Sequence, residues 1–398
     1  MPWKEIRMEE QRLSVVQEYG EGASISELAE VYGVCRKTIY KWLERHEQQG
    51  WEGLRDRSRR PHHSPNQVSD EVEAAIVEAR GRWKWGPRKL RVKLCQKDSE
   101  KLWPAVSTIA AVLKNKGLVV NRRTRPRTPI QSPPYVAAVE ANTVWCADYK
   151  GWFRSGDGAR IDPLTITDAA SRYLLRCQIV ERTGHDHTQA VFEAAFREFG
   201  MPEVIHTDNG VPFASVAPGG MSRLSMWFVK LGILPERSRP ASPQDNGRHE
   251  RMHRTLKQAT AKPPQATARL QQRAFDAFRC EFNQQRPHEA LGYLTPEVCY
   301  QASPRRYPLR LPALEYSGDI EVRRVSQQGS VKWKGERTFI SEVFRHEVLG
   351  LKAFDERWLQ IYFGPVPLGW LDSRHHRFSR KQPLELRRQI LKNTEPGA

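Results

Sequence analysis

The chain has 398 residues, more than one ordinary domain holds, and predicts three or four. Its 64 Lys and Arg outnumber 46 Asp and Glu, and the net charge of +18 points to a polyanionic partner, first of all nucleic acid. Hydrophobic residues at 39% leave enough apolar surface for true cores, which excludes a disordered basic tail. No apolar run approaches the ~18 residues of a membrane span, and the start MPWKEIRMEEQ has no signal-peptide core. The six cysteines, at 35, 95, 146, 177, 280 and 299, include no CxxC pair. They are expected to be reduced thiols of a cytoplasmic protein, without a zinc knuckle.

The first fifty residues read as helices. Ser24 and Glu27 form a capping box in front of ISELAEVYG, and a second helix runs CRKTIYKWLERHEQQG. Two short helices around a Gly-containing turn predict a helix-turn-helix domain over 1–53. The second helix is expected to bury Ile39 and Leu43. Arg36, Lys37, Thr38, Tyr40 and Lys41 are then free to meet phosphates and base edges of double-stranded DNA. Residues 54–66 are rich in Arg and Pro and predict a basic linker. Over 67–120, Val72, Ile76 and Ala79 mark one helical face, Gly86-Pro87 breaks it, and Val106–Lys116 closes a second, winged-helix-like helix-turn-helix unit. A second linker, 121–138, carries Arg122, Arg123, Arg125 and Arg127 between prolines and is expected to strap DNA.

From 139 to 303 the pattern becomes α/β. Thr143–Phe153, Arg160–Thr167 and Arg172–Val180 read as strands, 186–199 as a crossover helix, and Glu203–His206 as a strand parallel to a neighbour. Three acids stand out. Asp148 lies in the first strand, Asp208 ends a later one, and Glu250 sits near the start of a helix that begins around Pro243. Carboxylates from two strands and a helix, in so basic a chain, suit hard divalent cations acting on a polyanion. On that helix Met252, Leu256 and Ala259 predict the buried face, while Glu250, Arg254 and Lys257 share another. Asp168 reads as a turn residue, Asp186 as a helix start, and His206 as a packed side chain; Asp245 is passed over for Glu250.

The segments WCADYKGWF, ITDAASRYLL, VIHTDNGVPF, SPQDNGRHERMHRTLK and FNQQRPHEALGYLTPE resemble the DDE transposases and retroviral-type integrases, over roughly residues 140–300. The resemblance implies a ribonuclease H-like core with Asp148, Asp208 and Glu250 as catalytic metal ligands and two Mg²⁺ (or Mn²⁺) ions as cofactor. Arg254 and Lys257 are implied as DNA contacts. The implied activity is metal-dependent 3′-end cleavage and strand transfer. It would act on DNA carrying terminal inverted repeats and on a target DNA, through a homodimer or higher oligomer in the bacterial cytoplasm, associated with the nucleoid. A DNA-binding regulator with an inert nuclease-like core, or a structure-specific nuclease, are the other readings. The Asp208–Glu250 interval is long for this resemblance, and the Gly/Pro-rich Val216–Arg223 is read as a surface loop that carries the excess. Short strands over 310–375 predict a small β-barrel, followed by a basic tail, 376–398.

Overall fold

The computed structural model of the protein describes residues 8–58, 67–119, 135–239 and 247–387. Arg122, Arg123, Arg125 and Arg127, most of the first linker, Pro243, Asp245 and the end of the tail lie outside the described residues. The chain divides into two compact units, Met1–Asp70 and Glu71–Ala398.

The first unit packs α1 (Met8–Gly20), α2 (Ile25–Val31) and α3 (Arg36–Gln49) around Val15, Leu28, Ile39, Trp42 and Leu54. The capping box forms as its sequence dictates. The Glu27 amide donates to Ser24 Oγ at 3.3 Å, and the Ser24 amide donates to Glu27 Oε2 at 2.9 Å. Trp42, not Leu43, is the second deeply buried residue of α3; Leu43 is half-buried against the same core. The larger indole fills the space between three short helices that a leucine leaves open.

The second unit begins with α4 (Asp70–Trp83), α5 (Pro87–Lys97) and α6 (Val106–Asn115), with Ile76, Leu90, Leu94, Ile109 and Leu113 as their core. Gly86 caps α5 and Pro87 takes its first position, where a missing N–H costs nothing. Among the described residues of 67–119 there is no strand.

The core domain follows as β1 (Val144–Tyr149), β2 (Phe153–Arg154), β3 (Arg160–Ile161), β4 (Pro163–Asp168), β5 (Leu174–Ile179), α7 (His185–Phe199), β6 (Val204–Thr207), α8 (Arg223–Lys230), β7 (Leu234–Arg237), α9 (Gly247–Thr260), α10 (Ala268–Gln284) and α11 (Pro296–Cys299). Its sheet has the order β5-β4-β1-β6-β7; β5, β4 and β1 pair antiparallel, and β1, β6 and β7 pair parallel. The stretch read as one strand, Thr143–Phe153, is two, because Gly151 turns the chain with a φ of 83° and sends Phe153–Arg154 into a separate ribbon with β3.

Alternation along β1 sets the site. Trp145 and Ala147 face the layer made by α7 and α8, in a core with Phe192, Phe196 and Phe228. The intervening residues, Asp148 among them, face the side where Met252 and Leu256 of α9 and Phe275, Phe278 and Phe282 of α10 pack against Leu174 and Cys177. Covered on both faces, β4 is buried at all six positions. The edge strand β5 is closed by side chains of α10. Asn283 accepts from the Leu174 amide at 2.8 Å and donates to its carbonyl at 3.0 Å; Gln272 does the same for the Ile179 amide (2.8 Å) and Cys177 carbonyl (3.0 Å).

The Val216–Arg223 stretch is no loose surface loop. Ala217, Pro218 and Met221 are buried, and the Gly219 carbonyl accepts from Arg237 at 2.6 Å. A side chain at Gly219, whose φ is 62°, would press on Leu368. The loop is held because it supports the C-terminal strands.

Those strands are β8 (Glu321–Arg324), β9 (Ser330–Trp333), β10 (Glu336–Phe339), β11 (Val348–Ala353), β12 (Trp358–Phe363), β13 (Val366–Asp372) and β14 (Arg377–Ser379). They form an antiparallel sheet, β14-β13-β12-β11-β8, and a β10-β9 ribbon around one core, which Met226 and Val229 of α8 join. The expected closed barrel is corrected to this open arrangement. No ladder joins the ribbon to either edge strand among the described residues, and the two layers are held by apolar packing of Val331, Trp333, Leu349 and Ile361.

Candidate active site

Register brings the two aspartates together. In the parallel pair, Val144 lies opposite Val204, Trp145 opposite Ile205 and Cys146 opposite His206. Two residues further along each chain stand Asp148 and Asp208, at the same level on adjacent strand ends. Asp208 turns back on itself, its Oδ1 accepting from the Gly210 amide at 3.0 Å. Glu250 is exposed in the first turn of α9. The Asp148 carboxyl is pushed up to about 7 by burial, then by the charge of Asp208 and more weakly by Glu250, against the Tyr149 amide and Lys150, which favour its ionised form. Asp148 therefore feels both of the other acids. Among the described residues, however, no three His, Cys, Asp or Glu side chains are close enough to hold one metal ion.

Beneath the trio lies a network that the sequence reading missed. His249 and His253 are buried on α9, and each presents Nε2 to Thr165 Oγ1 on β4, at 2.7 and 2.6 Å; His249 Nδ1 lies 3.0 Å from Thr167 Oγ1. His253 Nδ1 is 3.8 Å from Asp148 Oδ2. Burial holds His249 down to about 3 and His253 to about 2, each lowered further by a neighbouring imidazole, so both are neutral and His253 forms no ion pair with Asp148. Thr165 Oγ1 donates to the Asp148 carbonyl at 3.1 Å, so its two lone pairs accept the Nε2–H of both imidazoles, and His249 Nδ1 accepts from Thr167. The buried face of α9 is thus His249, Met252, His253, Leu256 and Thr260, whereas Ala259, expected there, is exposed. Positions 249, 253, 256 and 260 keep a helical stripe, and this was the available signal.

Residues 138–243 and 231–296 match two integrase core domain families, 11–62 a helix-turn-helix domain and 38–113 a homeodomain-like domain. The chain is 25% identical over 235 residues to the uncharacterized 31.7 kDa protein of insertion element IS407 from Burkholderia multivorans, covering 58% of this chain and 81% of that one. It is 27% identical over 212 residues to transposase InsD of insertion element IS2D from Escherichia coli, covering 48% and 65%. The chain thus carries helix-turn-helix and integrase core domains and is similar to insertion-element transposases. The Gag-Pol polyprotein of Baboon endogenous virus is 32% identical over 99 residues, 25% of this chain and only 5% of the polyprotein. Among solved structures, the HTLV-2 integrase catalytic core domain in complex with magnesium aligns over 41% of this chain and 98% of that one, at 17% identity and a TM-score of 0.33.

The remaining predicted residues fall into place by face. Arg36, Lys37, Tyr40 and Lys41 of α3 are exposed and Thr38 is half-buried beside Cys35. Arg254 and Lys257 are exposed on the same side of α9 as Glu250. Asp168 is buried and spent on structure, accepting from the Asn142 amide (2.7 Å) and from Ser171 N and Oγ (2.7 and 2.6 Å). His206 packs edge-on against Tyr135. A second cationic concentration went unread in the sequence. Lys89 of α5 is held down to about 8 by burial, then by Arg286, with a smaller push from Arg251, against the attraction of Glu289. No described helix is long and apolar enough to cross a membrane.

Proposed function

We propose that this transposase binds the terminal inverted repeats of its element through its helical units, cleaves the 3′ end and joins it to target DNA. Hydrolysis of the phosphodiester leaves a 3′-hydroxyl, which then attacks a target phosphodiester and releases a new 3′-hydroxyl, without a covalent protein intermediate. The reading rests above all on Asp148 and Asp208 standing level on adjacent strand ends, with Glu250 near enough to raise the cost of ionising Asp148.

Such a donor set fits a hard cation. Its ligand atoms are carboxylate oxygens, and burial beside Asp208 raises the Asp148 carboxyl to about 7, a cost that a bound cation would relieve. Asp148, shared between Asp208 and Glu250, would hold two Mg²⁺ or Mn²⁺ ions, which when bound stabilise the attacking and leaving oxygens. Arg254 and Lys257 would hold phosphates of the terminal DNA on the outer face of α9. Arg36, Lys37, Thr38, Tyr40 and Lys41 would meet the repeat, and Arg122, Arg123, Arg125 and Arg127 its backbone. Because two ends must be joined, the working form is a homodimer or higher oligomer on DNA, in the bacterial cytoplasm at the nucleoid.

The test is a gel assay of cleavage and joining on duplexes taken from the flanks of the gene, with Mg²⁺ or Mn²⁺. Joining of a pre-cut end separates a transposase from a nuclease that only hydrolyses. Joining that persists in Asp148→Asn removes the assignment.

A further inference from the structure

Next to the acids, a cavity of about 330 Å³ opens between the chain that leaves β1 and the helices α9 and α10. Its back is apolar: Phe275 and Leu256 are fully buried, and Phe153 stands edge-on to Phe275 at 6.4 Å between ring centres. Trp152 lies at its mouth, 56% exposed, with the guanidinium groups of Arg154 and Arg160 at 5.8 and 5.3 Å from its ring. Lys150 and Lys257 line the cavity from two different elements. Neither ammonium makes an ion pair among the described residues. No carboxylate lines the cavity.

This chemistry selects its occupant. The volume lies near the lower end of small-molecule sites, roughly 300–1,000 Å³, and is far too narrow for a duplex. Flat apolar walls with an exposed indole suit a π-face, and two unpaired lysines suit phosphates on either side of it. Lys150 is two residues past Asp148, and Lys257 lies two helical turns past Glu250 on the same face of α9. A strand whose phosphate sits at the acids therefore passes the mouth of the cavity.

We propose that this cavity receives one unpaired nucleobase of the DNA strand being processed, with Trp152, Phe153 and Phe275 contacting the base and Lys150 and Lys257 its flanking phosphates. The proposal rests on the DNA-processing reading above. Taking one base out of the stack frees the neighbouring phosphodiester from the duplex geometry, and the cavity repays the lost stacking.

The full-length chain is mixed with duplexes from the flanks of its gene that carry 2-aminopurine at successive terminal positions of either strand. One position is expected to change emission severalfold on binding. Ala261→Trp, which fills the cavity, and Trp152→Ala, which removes its exposed wall, should each abolish that change and weaken gel-shift binding roughly tenfold. An abasic residue at the responding position should weaken wild-type binding roughly tenfold and Trp152→Ala binding no further. Ends that are bound and cut with no responding position, or a response undiminished in both variants, overturn the proposal. Wild-type chain that neither binds nor cuts the ends overturns the DNA-processing reading, and this proposal with it. A self-association that Ala261→Trp abolishes, with no emission change, would give the cavity to a second copy of the chain instead.

Discussion

On its inner face α9 presents His249, Met252, His253, Leu256 and Thr260 to the sheet, and on its outer face Glu250, Arg254 and Lys257 stand in solvent. The inner face is fixed by short hydrogen bonds to Thr165 and Thr167 and by apolar packing. The outer face has charges and few constraints. The contrast separates two jobs that one helix performs. Its inner residues decide where α9 lies against β1 and β4, and its outer residues, on the proposed function, decide what a DNA strand meets there. Losses on the inner face should therefore appear as stability, and losses on the outer face as chemistry and salt dependence.

The largest effect expected is on chemistry. Asp148→Asn should lower strand transfer by on the order of 10³-fold or more while end binding, measured by gel shift, is kept. Glu250→Gln should follow with a similar loss of joining, yet its melting temperature should match wild type, since an exposed substitution costs within about 0.5 kcal/mol. A clear drop in melting temperature for Glu250→Gln would break the division between the faces. Thr165→Val removes the hydroxyl that both imidazoles share and should cost about 1–3 kcal/mol, read as a fall in thermal midpoint; Thr165→Ser should restore most of it. An unchanged midpoint in Thr165→Val would mean that the network holds nothing.

Acid sharpens the same comparison. The unfolded chain protonates His249 and His253 near 6.5, whereas the folded chain resists until about 3 and about 2. Unfolded chain thus binds more protons, and their contribution to stability is lost as pH falls below about 6.5. Asp148 runs the other way. Its folded value near 7 exceeds its ordinary 3.8, so its protonation favours the folded chain as pH falls from about 7 to about 4. Metal-free Asp148→Asn should therefore lose stability with acid more steeply than wild type, as thermal melts across pH 7 to 4 would show. The smallest effect belongs to the outer cations. Arg254→Ala or Lys257→Ala should leave the melt unchanged and each lower the slope of log affinity against log salt by about one.

How much of this was legible in the sequence follows from which forces placed each residue. Asp148 and Asp208 could be read because each ends an apolar strand, and a parallel pairing needs only the crossover helix between them to be recognised. The exposed spacing of Glu250, Arg254 and Lys257 was equally plain. The histidines were hidden because a polar residue on an inner face is recognised only with its partner, and Thr165 and Thr167 lie more than eighty residues away in sequence. Ala259 was misplaced for a related reason: a small residue fits a buried stripe as well as an exposed one, and Thr260 took its place by turning its hydroxyl back to the Leu256 carbonyl at 2.8 Å. The Val216–Arg223 stretch looked like a free loop since nothing local in it announces the C-terminal strands it supports. The barrel was overread because alternating short strands specify pairing but not closure.

The amide clasp of α10 on β5 has a mechanical consequence. Asn283 and Gln272 occupy the hydrogen-bonding positions that another strand would take, so α10 cannot slide along or lift from the sheet without stripping an edge bare. Sheet and α10 therefore behave as one anvil, with Phe275 on its working surface, and any give in the machine must come from the parts that strike against it.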